Sequence, residues 1–167
     1  MKIIVNDANI LIDLVELDLL ANFFALKFAF YTTSLVFEEL EEEQQQKFGV
    51  YIADSTLTVR EMTQAQLMEV NRIQKTKPSL SQQDCSAFFQ AQLEKGILIT
   101  SDNTLRKFAL TNNLEVHGHL WVFDQMFEAG TISGQLAVEK LNELCNIVNQ
   151  KLGLPQLECQ KRVHQWR

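Results

Sequence analysis

Residues 2–6, 28–32 and 97–100 are short, nearly continuous runs of apolar or β-branched side chains, each followed by a stretch whose apolar residues recur at helical spacing. No other feature limits the possible folds so tightly. A strand that is apolar on both faces belongs in a sheet covered on both faces, and such sheets are parallel, with helical crossovers between their strands. The expected fold class is therefore α/β, with a central, mostly parallel sheet flanked by helices in three layers.

The same periodicity places a helix over 9–20 and another over 34–46, with Ser34 as N-cap, and a β-favouring stretch over 50–59 that turns at Asp54-Ser55. Thr63 with Gln66 and Ser81 with Asp84 form capping boxes; the first helix should end before Pro78 and the second at Gly96. A helix over 103–111, a turn at Asn112-Asn113, a last strand over 114–116 and helices over 120–129 and 133–150 complete the reading. Residues 154–167 have weak periodicity and are expected to form a disordered tail. With 167 residues, 46% of them hydrophobic, the chain can fill one core and is too short for two ordinary domains. One domain over 1–153 is expected. The longest apolar stretch, 19–30, is broken by Asn22 and Lys27 and falls short of the roughly 20 residues of a membrane span. The N-terminus has no secretion-signal pattern, so a cytoplasmic location is expected. Three cysteines, Cys85, Cys145 and Cys159, lack any Cys-x-x-Cys pair and are expected to be free, mostly buried thiols.

Function is best read from four acids. Asp7 closes the run Ile3-Ile4-Val5, and Asp102 closes Ile97-Leu98-Ile99-Thr100-Ser101. Glu39 lies in Val36-Phe37-Glu38-Glu39-Leu40, and Asp84 follows Ser81-Gln82-Gln83. In a parallel sheet the carboxyl ends of the strands form one edge, where ligands bind at the point of strand-order reversal. Carboxylates gathered there repel one another, so a fold that gathers them normally does so around a cation. Taken singly, Asp7 and Asp102 could be ordinary N-caps and Asp84 only the partner of Ser81.

Net charge is −6, which opposes broad electrostatic attraction to a polyanion and makes any nucleic-acid contact local. Arg106 and Lys107, just after Asp102, could contact a phosphate. His117 and His119 could share a strand face, but no third metal ligand lies near them in sequence. Phe23, Phe24, Phe28 and Phe30 read as core or a dimer surface, and Lys161, Arg162 and Trp166 as a tail able to touch a nucleic acid or a partner.

The four acids and their surroundings resemble the motifs of PIN-domain ribonucleases, and the chain is close in size to VapC-like toxins of toxin–antitoxin pairs. Asp7-Ala8-Asn9 followed by Ile10-Leu11-Ile12 resembles the opening motif; Glu39 before Leu40 the second, with Glu38 as the rival ligand; Leu80 through Asp84 with Ala87 the third; and Ile97 through Asp102 with Leu105 and Ala109 the fourth. The ordered set covers residues 1–125. The resemblance implies a PIN-like α/β/α fold and a metal-dependent endoribonuclease that hydrolyses single-stranded or loop RNA. Asp7, Glu39, Asp84 and Asp102 would hold one or two Mg²⁺ or Mn²⁺ ions, with Asn9, Ser101 and Glu38 supporting them. It also implies a cognate antitoxin and a homodimer. Asn103 departs from the pattern, since many relatives carry an acid there. Two other readings remain: a catalytically inactive PIN-like interaction module, and an aspartate-nucleophile phosphohydrolase, against which Asn9 stands where a second Asp is required.

Overall fold

The computed structural model describes residues 1–167. Five parallel strands, β1 (Ile3–Asn6), β2 (Ala29–Thr33), β3 (Leu57–Arg60), β4 (Ile97–Ile99) and β5 (Val116–His117), form one sheet in the order β3-β2-β1-β4-β5. The central registers pair Ile4 with Phe30 on one side and with Ile97 on the other. From β1 the chain moves to β2 and β3, then returns past β1 to β4 and β5. Because parallel crossovers are right-handed, the two directions put their helices on opposite faces. Helices α1 (Ala8–Glu16) and α2 (Leu20–Phe24) join β1 to β2. Short helices α3 (Ser34–Phe37), α4 (Glu42–Lys47) and α5 (Gly49–Ala53) join β2 to β3. On the return, α6 (Gln64–Thr76) packs on α7 (Gln82–Glu94), and α7 lies across β2, β1 and β4 with α8 (Asn103–Thr111) beside it. After β5 come α9 (His119–Glu128), α10 (Gly134–Glu143) with a π-helical continuation at Leu144–Val148, and α11 (Gln156–Trp166). The result is a three-layer α/β/α fold, and the strand order reverses between β1 and β4.

Several elements differ from the sequence reading, each for an identifiable reason. The 9–20 helix breaks at Asp18, which takes φ 56° and lets Leu17 and Leu19 both be buried. The 34–46 helix is two helices, capped by Thr33 rather than Ser34: the Gln45 amide donates to the carbonyls of Phe37 and Leu40, closing α3 before the glutamate run begins. Residues 50–53 are helical despite their β-favouring composition, because Phe48 and Tyr51 pack against Phe24, and burial of aromatics outweighs strand propensity. Lys95, not Gly96, has the left-handed conformation at the end of α7. Gly96 is required for close approach: a Cβ there would sit 2.8 Å from the Ile3 carbonyl oxygen of the neighbouring strand. Phe23, Phe24 and Phe30 are core residues in mutual contact, while half-buried Phe28 packs on Phe30 and Trp121. Of the three free cysteines only Cys85 is fully buried; Cys145 and Cys159 are half-buried neighbours.

The largest correction concerns the C-terminus. Residues 156–166 form a helix that packs on α10 and buries Trp166 against Phe123 and Phe127. Gly134 lies directly under the Trp166 carbonyl, where no side chain would fit. Arg162, half-buried, pairs with Asp124 at 3.0 Å and with Glu158 at 2.8 Å. A weakly periodic segment is ordered by one aromatic anchor and one ion-pair cluster, neither of which has a period to read. Replacing Trp166 with Ala should cost about 3 kcal/mol of stability, the usual loss for a buried tryptophan, measured as a lower midpoint in urea unfolding. Replacing the exposed Arg167 should leave the midpoint in place.

Candidate active site

The carboxyl ends of β1 and β4 lie side by side, with the Asp7 amide donating to the Ile99 carbonyl at 2.9 Å. Asp7 leaves β1 and caps α1, its Oδ1 accepting from the Ala8 amide at 2.9 Å. Asp102 follows β4 and caps α8 by accepting from Leu105. Asp84 completes the Ser81 capping box in the first turn of α7, accepting from the Ser81 amide at 3.0 Å. All three capping roles open to single residues are therefore real. They do not compete with convergence, because the sheet order brings these helix starts to one edge.

Electrostatics shows how close the groups are. Burial pushes the Asp7 carboxyl up to about 6, and the negative charges of Asp84 and Asp102 push the same way against the Thr100 hydrogen bond. Glu39 is raised by burial and then by Asp7 and Asp84. Asp84 is raised by burial and, against its Ser81 bonds, by Asp102. Asp7, Glu39, Asp84 and Asp102 thus lie near enough for their charges to be felt within the group, Glu39 through Asp7 and Asp84. Glu39 lies in the turn just after α3, and Thr33 sets that helix by capping it and by sharing a 2.8 Å hydrogen bond with Ser86 of α7.

The chain belongs to the PIN-domain family. A family model described as DUF3368, PIN domain, matches residues 3–150. No curated protein matches the chain. PIN domains are generally nucleases, and the acid edge lies where this fold class binds ligands.

The supporting groups of this PIN domain differ from those read in the sequence. Neither Asn9, which is exposed, nor Ser101 hydrogen-bonds to an acid. Thr100 does: its hydroxyl donates to Asp7 Oδ2 at 2.7 Å and accepts from the Asp102 amide at 3.1 Å, linking two of the four acids. Its place at the end of a β-branched run was read only as strand propensity; nothing in the residue itself separates the two roles. The two histidines do not form a pair. His117 stacks on Trp121 at the end of β5, while buried His119 opens α9 and bonds Asp13 of α1 at 2.8 Å. Arg106 and Lys107 line different clefts, Arg106 beside Ser101 and Lys107 beside Lys77 and Ser79.

As the side chains lie, no three His, Cys, Asp or Glu groups close around a common point. The donor chemistry nevertheless suits a hard divalent cation, which takes oxygen ligands. Asp84 and Asp102 each use one carboxylate oxygen at a helix start, and the other oxygen accepts no hydrogen bond from the protein.

Asp7 carries a measurable consequence. Its folded value of about 6 lies above the ordinary 3.8, so between those limits the folded chain keeps a proton that the unfolded chain releases. Its contribution to stability is therefore fully favourable below about pH 4 and is lost as pH rises to about 6. The shift corresponds to about 3 kcal/mol by pH 7. In EDTA, Asp7→Asn should raise Tm at pH 7 by about 3–6 °C, discounting for imperfect amide geometry, and should raise it little at pH 4. Thermal unfolding at the two pH values checks this.

Proposed function

We propose that this PIN domain is a metal-dependent endoribonuclease that hydrolyses phosphodiester bonds of single-stranded or loop RNA. The observation that carries the reading is the convergence of acids at the carboxyl edge of β1 and β4, where Thr100 links Asp7 to Asp102, the charges of Asp84 and Asp102 raise Asp7, and those of Asp7 and Asp84 raise Glu39. Asp7, Asp84 and Asp102, with Glu39 across from them, would hold Mg²⁺ or Mn²⁺. A divalent ion bound there supplies an acidified water and neutralises the scissile phosphate. The chain itself fixes where those charges stand. Thr100 holds the Asp7 carboxylate and the Asp102 backbone in one arrangement, Ser81 holds Asp84, and Thr33 caps the short helix that leads to Glu39. Arg106 is exposed, has no ion-pair partner and lies four residues after Asp102, which caps α8, a placement that suits a contact to the RNA backbone or to a base.

The size of the chain and its four motifs support the toxin of a toxin–antitoxin pair, acting in the cytoplasm as a homodimer and neutralised by a cognate antitoxin. No helix is long and apolar enough to cross a membrane. A second reading, a PIN-like module without activity that works through protein contacts, draws on the open arrangement of the acids and on Asn103 at a position where many relatives are acidic.

Purified protein incubated with labelled single-stranded RNA should cleave it with Mg²⁺ or Mn²⁺ and stop in EDTA, with Asp7→Asn or Asp102→Asn reducing the rate about 100-fold or more. Glu39→Gln should be severe and Glu38→Gln mild. Absence of cleavage across several RNAs, with no Mg²⁺ or Mn²⁺ binding by calorimetry, selects the inactive module. Thr100→Val, which keeps shape and removes both hydrogen bonds, should lower the rate about 10–100-fold while the folded state persists by circular dichroism.

A further inference from the structure

Next to the acids lies a recessed cleft of about 160 Å³ whose wall includes Thr100, the residue that bonds Asp7. Ser101, Asn103, Arg106 and His119 give it a polar lining, and Leu154 and Pro155 an apolar one. An engineered cavity of about 150 Å³ holds a benzene ring, so this recess is on the scale of a single flat aromatic base and excludes a base pair.

His119 gives the cleft a second, independent mark. The ring is 4% exposed; Nε2 bonds Asp13, which also accepts from Asn149 at 3.0 Å, and buried Nδ1 has no partner at all. The Asp13 bond fixes the ring, so His119 forms a rigid part of the cleft wall. The mixed lining points to the kind of group. A phosphate would call for several cations or amides, whereas here one arginine, one side-chain amide, the hydroxyls of Thr100 and Ser101 and the His119 ring stand beside an apolar surface, a combination that suits a nucleobase.

We infer that this cleft takes the unpaired base of the nucleotide adjoining the scissile phosphate, and that Asn103 and Arg106 read its edge. The inference rests on the nuclease reading for the identity of the strand, but its own content is base selection. Arg106 offers donors only, which matches the O6 and N7 acceptors of guanine, and Asn103 offers both a donor and an acceptor. A base enters such a recess only when unpaired, so the cleft gives a physical cause for single-strand preference that the acids do not. Both residues are exposed at the start of α8, so replacing them does not threaten the core.

The test uses the full chain carrying Asp7→Asn, with Mg²⁺, and fluorescence anisotropy with labelled hexauridylate and three derivatives bearing A, C or G at the third position. The guanine form should bind about tenfold more tightly than the others, and Asn103→Ala or Arg106→Ala should bring that ratio close to one. In parallel, the unmutated chain is assayed for cleavage of the same RNAs. Cleavage together with equal binding of all four, or with a preference that survives both substitutions, overturns the base cleft and leaves the nuclease standing. A guanine preference lost in the variants supports the cleft, and if cleavage is then absent it is the nuclease reading that falls. No binding and no cleavage overturns both.

Discussion

Like-charge repulsion at one sheet edge is the constraint around which this molecule is arranged. Asp7, Asp84 and Asp102 each sit in the first turn of a helix or at its cap, where backbone N–H groups and the partial positive end of the helix favour a carboxylate. Capping therefore does two things here: it starts the helix, and it fixes an acid to a rigid point. Strand order does the rest. With β1 and β4 adjacent and α7 lying across both, three helix starts are brought to the same edge, and α3 delivers Glu39 beside them.

The magnitudes show that helix ends cannot balance the charge alone. A carboxylate near a helix N-terminus gains about 0.3–1 kcal/mol, up to about 2 where partly buried. Burial and its neighbours disfavour the Asp7 charge by about 3 kcal/mol even with the Thr100 and Ala8 hydrogen bonds made. A proton removes that cost at acid pH, and a cation held there would remove it nearer neutrality. A site built only for helix capping would have no reason to bury Asp7 at 3% exposure within reach of two other acids. That residual charge gives the acid edge the character of a binding site.

Residues whose environment is local in sequence were legible. The buried strands, both capping boxes and the helix from Asn103 all depend on neighbours within a few positions, and the structure places them accordingly. What was not legible depends on partners far along the chain. Thr100 bonds Asp7 across 93 positions, Thr33 bonds Ser86 across 53, and His119 reaches Asp13 across 106. A threonine at a strand end has the same local signature whether or not a carboxylate lies opposite. The helix over 50–53 and the ordered α11 failed for the same reason, since tertiary burial of Phe48, Tyr51 and Trp166 decided what propensity could not.

The C-terminal third matched no nuclease motif, yet it bears directly on the acid edge. The π-helical turn at Leu144–Val148 ends with Asn149 on Asp13, and Asp13 in turn holds His119, so three separate segments meet at one buried carboxylate. Asp13 lies on α1, six residues beyond Asp7, so this network steadies the far end of the helix whose start is the first acid. Between Asn149 and α11 the chain runs through Leu152, Gly153, Leu154 and Pro155, with Gly153 at φ 65°, and forms a wall of the cleft beside Thr100. That wall runs directly into α11, which Trp166 and the Arg162–Asp124 pair hold against α9. Loosening α11 would therefore disturb this side of the cleft before it disturbed the acids, because the acids are fixed by strands and helix starts while the 152–155 wall is anchored at Asn149 on one side and by α11 on the other.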